Sequence, residues 1–203
     1  FPMKILDPEI YKNDTLAIQR LLPDYITGNC IDIACGTGFW LPIYEKNCTS
    51  ITLIDQSENV LAECAKKVKK LGIENKTKIL RGDLFSYPFK EHEFHSAVIG
   101  FLISHLTEDE LDSISSILKR ILIPNGNLVI IDSVWNSDFV TKWGRSKAGM
   151  TKRSLSDGRE FNIYKRYFEK QDLYSLSERN NIDLEIVYWG KVFFLATGRF
   201  KEY

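Results

Sequence analysis

The chain has 203 residues, of which 44% are hydrophobic and 27% charged, and its acidic and basic residues balance to a net charge of zero. This length fits one domain with a sizeable core, and this composition excludes a mainly disordered chain. The sequence has no apolar run near the roughly 20 residues that span a bilayer and no secretory leader pattern, which predicts a cytoplasmic protein without a membrane partner. The neutral balance also disfavours a nucleic acid partner.

Short apolar runs rich in Ile and Val alternate with segments of helical spacing. The five predicted strands are CIDIA at 30–34, SITLI at 50–54, TKILR at 77–81, HSAVIGF at 95–101 and NLVIIDS at 127–133. Between them, positions such as Leu61, Cys64 and Val68 repeat at the spacing of a helix. This alternation predicts a mostly parallel sheet covered by helices on both faces, the doubly wound α/β architecture.

The four cysteines, Cys30, Cys35, Cys48 and Cys64, lie in the first third of the chain. They lack the paired spacing of common zinc sites and have no histidine nearby in sequence. We therefore predict buried, reduced thiols and no metal site.

The last third of the chain departs from the alternating pattern. Two strand-like runs, 183–189 and 192–200, are separated only by Gly190 and Lys191. Such a short connection predicts a hairpin, so the final strand should be antiparallel to its neighbours. The sequence predicts one domain over 1–203, with a lid-like insertion at about 134–170, because that connection exceeds the usual length.

A glycine-rich turn follows the first predicted strand, in the sequence IDIACGTG at 31–38. Gly36 and Gly38 lack side chains where the chain leaves the sheet, so a nucleotide-like ligand can approach the backbone there. A nicotinamide or flavin fingerprint would require a small residue where Leu41 stands, and the GK dipeptide of a phosphate-binding Walker loop is absent. The pattern therefore disfavours a dinucleotide or nucleoside triphosphate.

Acidic residues follow the second and third strands at the same predicted edge. Asp55 lies seventeen residues after Gly38, where a carboxylate can accept hydrogen bonds from ribose hydroxyls. The alternative role for Asp55 is a helix cap, although Ser57 is better placed for that. Asp83 could accept a hydrogen bond from an exocyclic amine, or it could belong to a plain turn.

These segments, with GDLF at 82–85 and IPNGNLVIID at 123–132, resemble the class I S-adenosylmethionine-dependent methyltransferases from about residue 11 to residue 200. The resemblance implies a Rossmann-like seven-stranded sheet, mostly parallel, that ends in an antiparallel hairpin strand, and S-adenosyl-L-methionine as the cofactor. By this resemblance, Asp32 and the backbone of Ala34, Gly36 and Gly38 would hold the methionine part, Asp55 the ribose, and Asp83 with Leu84 the adenine. The other implied cofactor-binding residues are Cys35, Thr37, Trp40, Gln56, Ser57, Phe101 and Ser104.

The segment FLISHLTE at 101–108 resembles a subset of small-molecule methyltransferases that carry a Ser-His pair at this place. Histidine ionises near neutral pH, so His105 is predicted as the general base and as a contact of the methyl acceptor. The alternative is a structural histidine at a helix start.

Nine Lys or Arg residues against three acidic residues in 141–170 favour an anionic acceptor, held by Arg153, Arg159 and Lys165, with Tyr11 as an aromatic contact. The alternative is a solvated basic surface.

The predicted function is methyl transfer to oxygen or nitrogen of a small metabolite. An RNA or protein methyltransferase, a non-catalytic S-adenosylmethionine-binding module and a nicotinamide-dependent oxidoreductase are the alternatives. The sequence identifies neither the acceptor nor the oligomeric state.

Overall fold

The computed structural model describes residues 8–138, 146–154, 158 and 160–201. The described helices are α1 (Pro8–Leu21), α2 (Leu41–Tyr44), α3 (Glu58–Leu71), α4 (Glu108–Ile121) and α5 (Lys170–Arg179). The described strands are β1 (Gly28–Ile33), β2 (Cys48–Asp55), β3 (Thr77–Arg81), β4 (Phe94–Gly100), β5 (Leu122–Ser133), β6 (Ala148–Ser154), β7 (Glu160–Arg166), β8 (Ile182–Trp189) and β9 (Phe193–Phe200). Short 3-10 turns cover Leu22–Tyr25, Glu45–Asn47, Glu74–Lys76 and Ile103–His105.

Seven strands form one sheet in the order β3-β2-β1-β4-β5-β9-β8. The first five pair in parallel, and β9 is antiparallel to both of its neighbours. The five predicted strands and the predicted hairpin are confirmed, although β9 begins at Phe193, so that the hairpin loop has three residues, 190–192, instead of two. Strand order reverses between β1 and β4, which is where open α/β sheets bind ligands.

Two hydrophobic clusters cover the two faces of this sheet, because side chains of a strand alternate between its faces. On β1, Ile31 and Ile33 join the cluster that contains the apolar side chains of α4 and α5. Cys30, which directly precedes Ile31 and so faces the other side of the sheet, joins the cluster that contains those of α1 and α3. The doubly wound architecture is thereby confirmed.

The four cysteines are free and buried, as predicted. All four lie in the cluster that also contains apolar side chains of α1 and α3. No helix in the described ranges has both the length and the apolar composition that a bilayer crossing requires.

Helix α1 is fastened to the β8–β9 hairpin by one buried carboxylate. Asp14 is 4% exposed and accepts hydrogen bonds from the hydroxyl of Tyr188 at 2.8 Å and from the backbone N–H groups of Val192 and Phe193 at 2.8 and 3.0 Å. A side chain at Gly190 would collide with this carboxylate. Gly190, predicted from the sequence as a turn residue, is therefore also required for helix docking.

The connection between β5 and α5 contains its own hairpin. Strands β6 and β7 pair antiparallel, from Ala148 opposite Arg166 to Ser154 opposite Glu160, and form a separate two-stranded sheet. The backbone of β7 reaches back to the Ile103–His105 turn that follows β4. The described part of this hairpin therefore packs at the carboxyl edge of the main sheet.

Candidate active site

The glycine-rich turn leaves β1 in an unusual backbone conformation. Ala34, Gly36 and Gly38 have φ angles of 53°, 56° and 67°, all in the left-handed region. The turn is held by the N–H of Cys35, which donates to the carbonyl of Ile54 at 3.1 Å, and by Lys67, whose ammonium donates to the carbonyl of Gly38 at 2.8 Å. Left-handed conformations at non-glycine residues cost about 1–2 kcal/mol and concentrate at functional sites.

The two predicted glycines are required for different reasons. A Cβ on Gly38 would lie 2.9 Å from the sulfur of Cys64, so this glycine allows the turn to pack on α3. A Cβ on Gly36 would meet no atom of the described residues within 4 Å, so the space in front of this residue is open. Thr37, between them, is exposed. Packing on α3 therefore explains Gly38, whereas no packing contact explains the open space in front of Gly36.

Asp55 links the end of β2 to the glycine-rich turn. One carboxylate oxygen accepts the N–H of Gly36 at 2.9 Å and the other accepts the N–H of Ser57 at 2.9 Å. Ser57 stands at the N-cap position of α3, yet its side chain makes no capping bond, so the expectation that Ser57 caps this helix through its hydroxyl is wrong. An ionised carboxylate has about four acceptor positions, so Asp55 keeps capacity for ribose hydroxyls.

Asp83 lies beyond the end of β3 and is exposed. One of its oxygens accepts the side-chain amide of Gln56 at 3.1 Å and the N–H of Phe85 at 3.1 Å. Leu84 is 8% exposed and packs in the core beneath. The structure thus joins the predicted ribose and adenine segments through the Gln56 side chain.

Asp32 is the most perturbed carboxyl group at this edge. It is 4% exposed and accepts the hydroxyl proton of Tyr44 at 2.6 Å. Burial raises its pKa to about 7, the neighbouring Asp55 adds to this rise, and the Tyr44 hydrogen bond opposes it. A cation placed nearby would favour the ionised form of Asp32. Sequence reasoning missed Tyr44, because an aromatic residue in a short helix gives no signal of its partner.

Aromatic rings form a continuous group along the same edge. Trp40 stacks on Phe101 at 6.2 Å between ring centroids, Phe101 meets Phe193 edge-on at 4.9 Å, and Phe193 meets Tyr11 of α1 at 5.6 Å. Phe101 also has a left-handed backbone, with φ of 60°. The structure therefore brings the predicted residues Tyr11, Trp40 and Phe101 together through Phe193, which the sequence did not single out.

The indole N–H of Trp40 is buried and has no hydrogen-bond partner among the described residues. Buried donors without partners are rare in folded proteins, which points to a ligand acceptor at this place. The open space at Gly36 and the cation-favouring Asp32 lie in the same part of the edge. These three features fit the carboxylate and positive charges of S-adenosylmethionine.

The predicted Ser-His pair forms a 3-10 turn after β4. His105 is half-buried, and its Nδ1 lies 2.8 Å from the carbonyl oxygen of Tyr164 on β7. A carbonyl can only accept, so Nδ1 carries the proton and donates. Ser104 is fully buried, and its N–H donates to Asp132 at the end of β5 at 2.9 Å.

Lys165 of β7 lies beneath this turn and is 8% exposed. Its ammonium donates to the hydroxyls of Ser104 and Ser133 and lies 3.6 Å from a carboxylate oxygen of Asp132. This placement does not match the predicted contact between Lys165 and an anionic acceptor. Sequence reasoning missed Asp132, although it ends its strand as Asp55 does.

The remaining basic residues of the insertion include residues that form ion pairs and the two arginines predicted to bind the acceptor. Lys147, Lys152 and Arg166 form ion pairs with nearby acidic side chains. Arg153 belongs to β6, and Arg159 lies outside the described residues. The local basic excess is therefore partly neutralised, because Lys147 and Arg166 pair with Asp172 and Glu108, which lie outside 141–170.

Comparison with known proteins finds similar sequences and similar folds. Residues 30–126 match the family model of a methyltransferase domain. A phosphatidylethanolamine N-methyltransferase of Cereibacter sphaeroides is 30% identical over 105 residues, which cover 52% of this chain and 50% of that protein. A demethylmenaquinone methyltransferase of Bacillus cytotoxicus is 27% identical over 127 residues, 61% of this chain and 51% of that protein. The matched segments thus span about half the length of these relatives.

The fold has close solved counterparts. The DhpI–SAH complex superimposes with a TM-score of 0.76 at 20% identity, covering 95% of this chain and 86% of that one. This likeness covers more of the chain than the family model, which matches residues 30–126. In its motif order, its sheet order and these matches, the chain is similar to the class I S-adenosylmethionine-dependent methyltransferases, and it has their fold.

Proposed function

We propose that this chain transfers a methyl group from S-adenosylmethionine to an oxygen or nitrogen of a small molecule, with His105 as the general base. The observation that carries the proposal is the His105 ring, which the Tyr164 carbonyl orients at the same sheet edge as the glycine-rich turn. A non-catalytic binding module would not require an oriented histidine there.

The donor side of the site would use backbone and carboxylate groups. When bound, S-adenosylmethionine supplies a methyl group on a positively charged sulfur, which an aligned nucleophile can displace. Asp55 would accept ribose hydroxyls, Asp83 would accept the adenine amine, and the Trp40 N–H would donate to the methionine carboxylate. The support is the orphaned indole donor and the open space before Gly36.

On the acceptor side, His105 would remove one proton. Its Nδ1 proton is engaged by the Tyr164 carbonyl, so Nε2 is the ring nitrogen suited to take a proton. Nε2 of His105 would take the proton of the acceptor's oxygen or nitrogen as that atom bonds to the methyl carbon. S-adenosylmethionine would supply this methyl group, with the electron pair of the broken carbon–sulfur bond left on sulfur. The product pair is a methylated acceptor and a neutral thioether.

The acceptor class is supported by the rings at the edge and by the relatives. Tyr11, Phe101 and Phe193 would offer an apolar surface, and the relatives are named for a phospholipid and a quinone precursor. The proposal that the acceptor carries an anionic group depends on Arg153 and Arg159, since Lys165 is paired inside the protein. We further propose that the β6–β7 insertion acts as the lid over this acceptor and that the protein works in the cytoplasm.

Two substitutions at one position test the base. The amide nitrogen of Asn can replace Nδ1, so His105→Asn keeps the bond to Tyr164 but removes Nε2, whereas His105→Gln replaces Nε2 and loses that bond. We expect His105→Asn to lower kcat by about 10²–10⁴-fold. The assay follows transfer of a labelled methyl group to phosphatidylethanolamine vesicles, demethylmenaquinone analogues and small phosphonates or carboxylates.

Calorimetric titration with S-adenosylmethionine provides the control. We expect both variants to bind it as the unchanged protein does, because His105 lies on the acceptor side. Turnover of His105→Asn close to that of the unchanged protein from about pH 6 to about pH 9 would refute the base role. Failure of the folded, unchanged protein to bind S-adenosylmethionine would refute the whole proposal.

A further inference from the structure

We propose that Lys165 is a positioning residue whose buried ammonium locks the Ser104–His105 turn onto β7 and so orients the base. We call Lys165, Asp132, Ser104 and Ser133 the lysine clamp. The inference rests on the proposed function of His105, but the geometry of the clamp can be tested separately.

The clamp is a set of charged and polar groups buried away from solvent. The side chains of Lys165 and Asp132 are 9% and 0% exposed. The ammonium donates to the hydroxyl oxygens of Ser104 at 2.5 Å and Ser133 at 3.0 Å. The two oxygens of Asp132 accept the N–H of Ser104 at 2.9 Å and the N–H of Ser133 at 2.7 Å. Lys165 and Asp132 thus both hold the same two serines.

The clamp connects three segments that are far apart in sequence. Ser104 follows β4, Asp132 and Ser133 end β5, and Lys165 lies on β7 of the insertion. Two consecutive residues of the turn are bound by two consecutive residues of β7, since Ser104 meets Lys165 and His105 meets the carbonyl of Tyr164. Fixing Ser104 therefore also fixes the direction in which the His105 ring leaves the backbone.

Stability alone does not account for these residue types. Removing a lysine and an aspartate from water costs energy that their attraction often fails to repay, and apolar side chains of similar volume usually stabilise such places equally well. Hydrogen bonds differ from apolar contacts in being directional. Orienting the Ser104–His105 turn would depend on these directional hydrogen bonds.

A nucleophilic Ser-Lys pair is the other chemistry that this contact suggests. Ser104 is fully buried, so no acceptor or acyl group can reach its hydroxyl. The ammonium of Lys165 also lies 3.6 Å from a carboxylate oxygen of Asp132, so Lys165 is paired inside the protein. Because Ser104 is buried and Lys165 is paired, we assign the Lys165–Ser104 contact to orienting the turn and not to nucleophilic catalysis.

The test replaces Lys165 by Met, which keeps most of the apolar stem and removes the ammonium. With ¹⁵N-labelled histidine, the ring nitrogens of His105 report which nitrogen carries the proton. The unchanged protein should show protonated Nδ1, and Lys165→Met should shift the signal to a mixture of the two tautomers. With an acceptor identified, kcat should fall by about 100-fold, as expected for a misplaced base, while affinity for S-adenosylmethionine stays unchanged.

Lys152→Met is the matched control, because Lys152 lies on the partner strand of the same hairpin and pairs with Glu160 at an exposed position. It should leave the His105 signal as in the unchanged protein. Because Lys165→Met leaves Asp132 buried and uncompensated, Lys165→Met/Asp132→Asn provides a neutral version that should fold and still lose the single tautomer. An unaltered His105 signal in either folded variant would overturn the clamp. A lost tautomer together with full turnover of His105→Asn would instead leave the clamp standing and refute the base.

Discussion

The two sides of this site are built in different ways. On the donor side, short segments directly after β1, β2 and β3 meet through contacts such as that between Asp55 and the N–H of Gly36, nineteen residues apart. On the acceptor side, Lys165 meets Ser104 across sixty-one residues and Asp14 meets the hairpin loop across more than 170. The donor side can therefore be read from local motifs, whereas the acceptor side exists only after distant segments have packed.

Asp32 on the donor side should give the largest effect. Burial raises its pKa to about 7 from an ordinary value of 3.8, so folding favours the protonated form. The preference of the folded state for protonated Asp32 stabilises the protein fully below about pH 3.8. This stabilisation is lost as the pH rises through about 7, and the loss is on the order of 4 kcal/mol. Asp32→Asn, which can still accept from Tyr44, should raise the free energy of unfolding above pH 7 by an amount approaching that value. Urea unfolding at about pH 5 and about pH 8 measures it.

The same variant should bind S-adenosylmethionine more weakly, because it lacks the carboxylate that would face a positive ligand. A gain in stability with a loss of affinity would show that Asp32 is retained for binding. If Asp32→Asn keeps the pH dependence of the unchanged protein, Asp32 is not the group that titrates.

Asp14 should give the next largest effect and tests the acceptor side. Asp14→Ala leaves two backbone N–H groups and the Tyr188 hydroxyl without their acceptor, which should cost about 3 kcal/mol of unfolding free energy. Tyr188→Phe removes only one of these bonds and should cost about 1 kcal/mol. Hydrogen exchange in α1 should increase in the first variant. Equal losses in both variants would contradict this account of how α1 docks.

Trp40 should give the smallest effect. Trp40→Phe removes an N–H that has no partner among the described residues, so no hydrogen bond within the protein is lost. The unfolding midpoint should therefore fall only by the small amount that the loss of ring packing causes. Affinity for S-adenosylmethionine should fall about tenfold, the value of one hydrogen bond to a charged acceptor. Unchanged affinity would mean that the cofactor carboxylate lies elsewhere.

The sequence predicted more of the donor side than of the acceptor side. Asp32, Gly36, Asp55 and Asp83 all reach one edge because parallel strands end at the same side of a sheet. Ser57 was wrongly expected to cap α3 with its hydroxyl; it stands at the N-cap position without a side-chain capping bond, and its own N–H donates to Asp55. The signal available in advance was the aspartate two residues earlier, which is typical of a local turn of this kind.

By itself, the sequence determined the alternation of strands and helices, the final hairpin, the buried thiols and the positions of the donor-side carboxylates. Periodicity and glycine placement act over a few residues, so they can be read without knowing what packs on them. Only the tertiary structure decided that Lys165 is buried against Asp132, that Asp14 holds the hairpin loop and that Tyr164 orients His105. These contacts depend on which distant side chains the fold brings within hydrogen-bonding distance, and no local pattern specifies that choice.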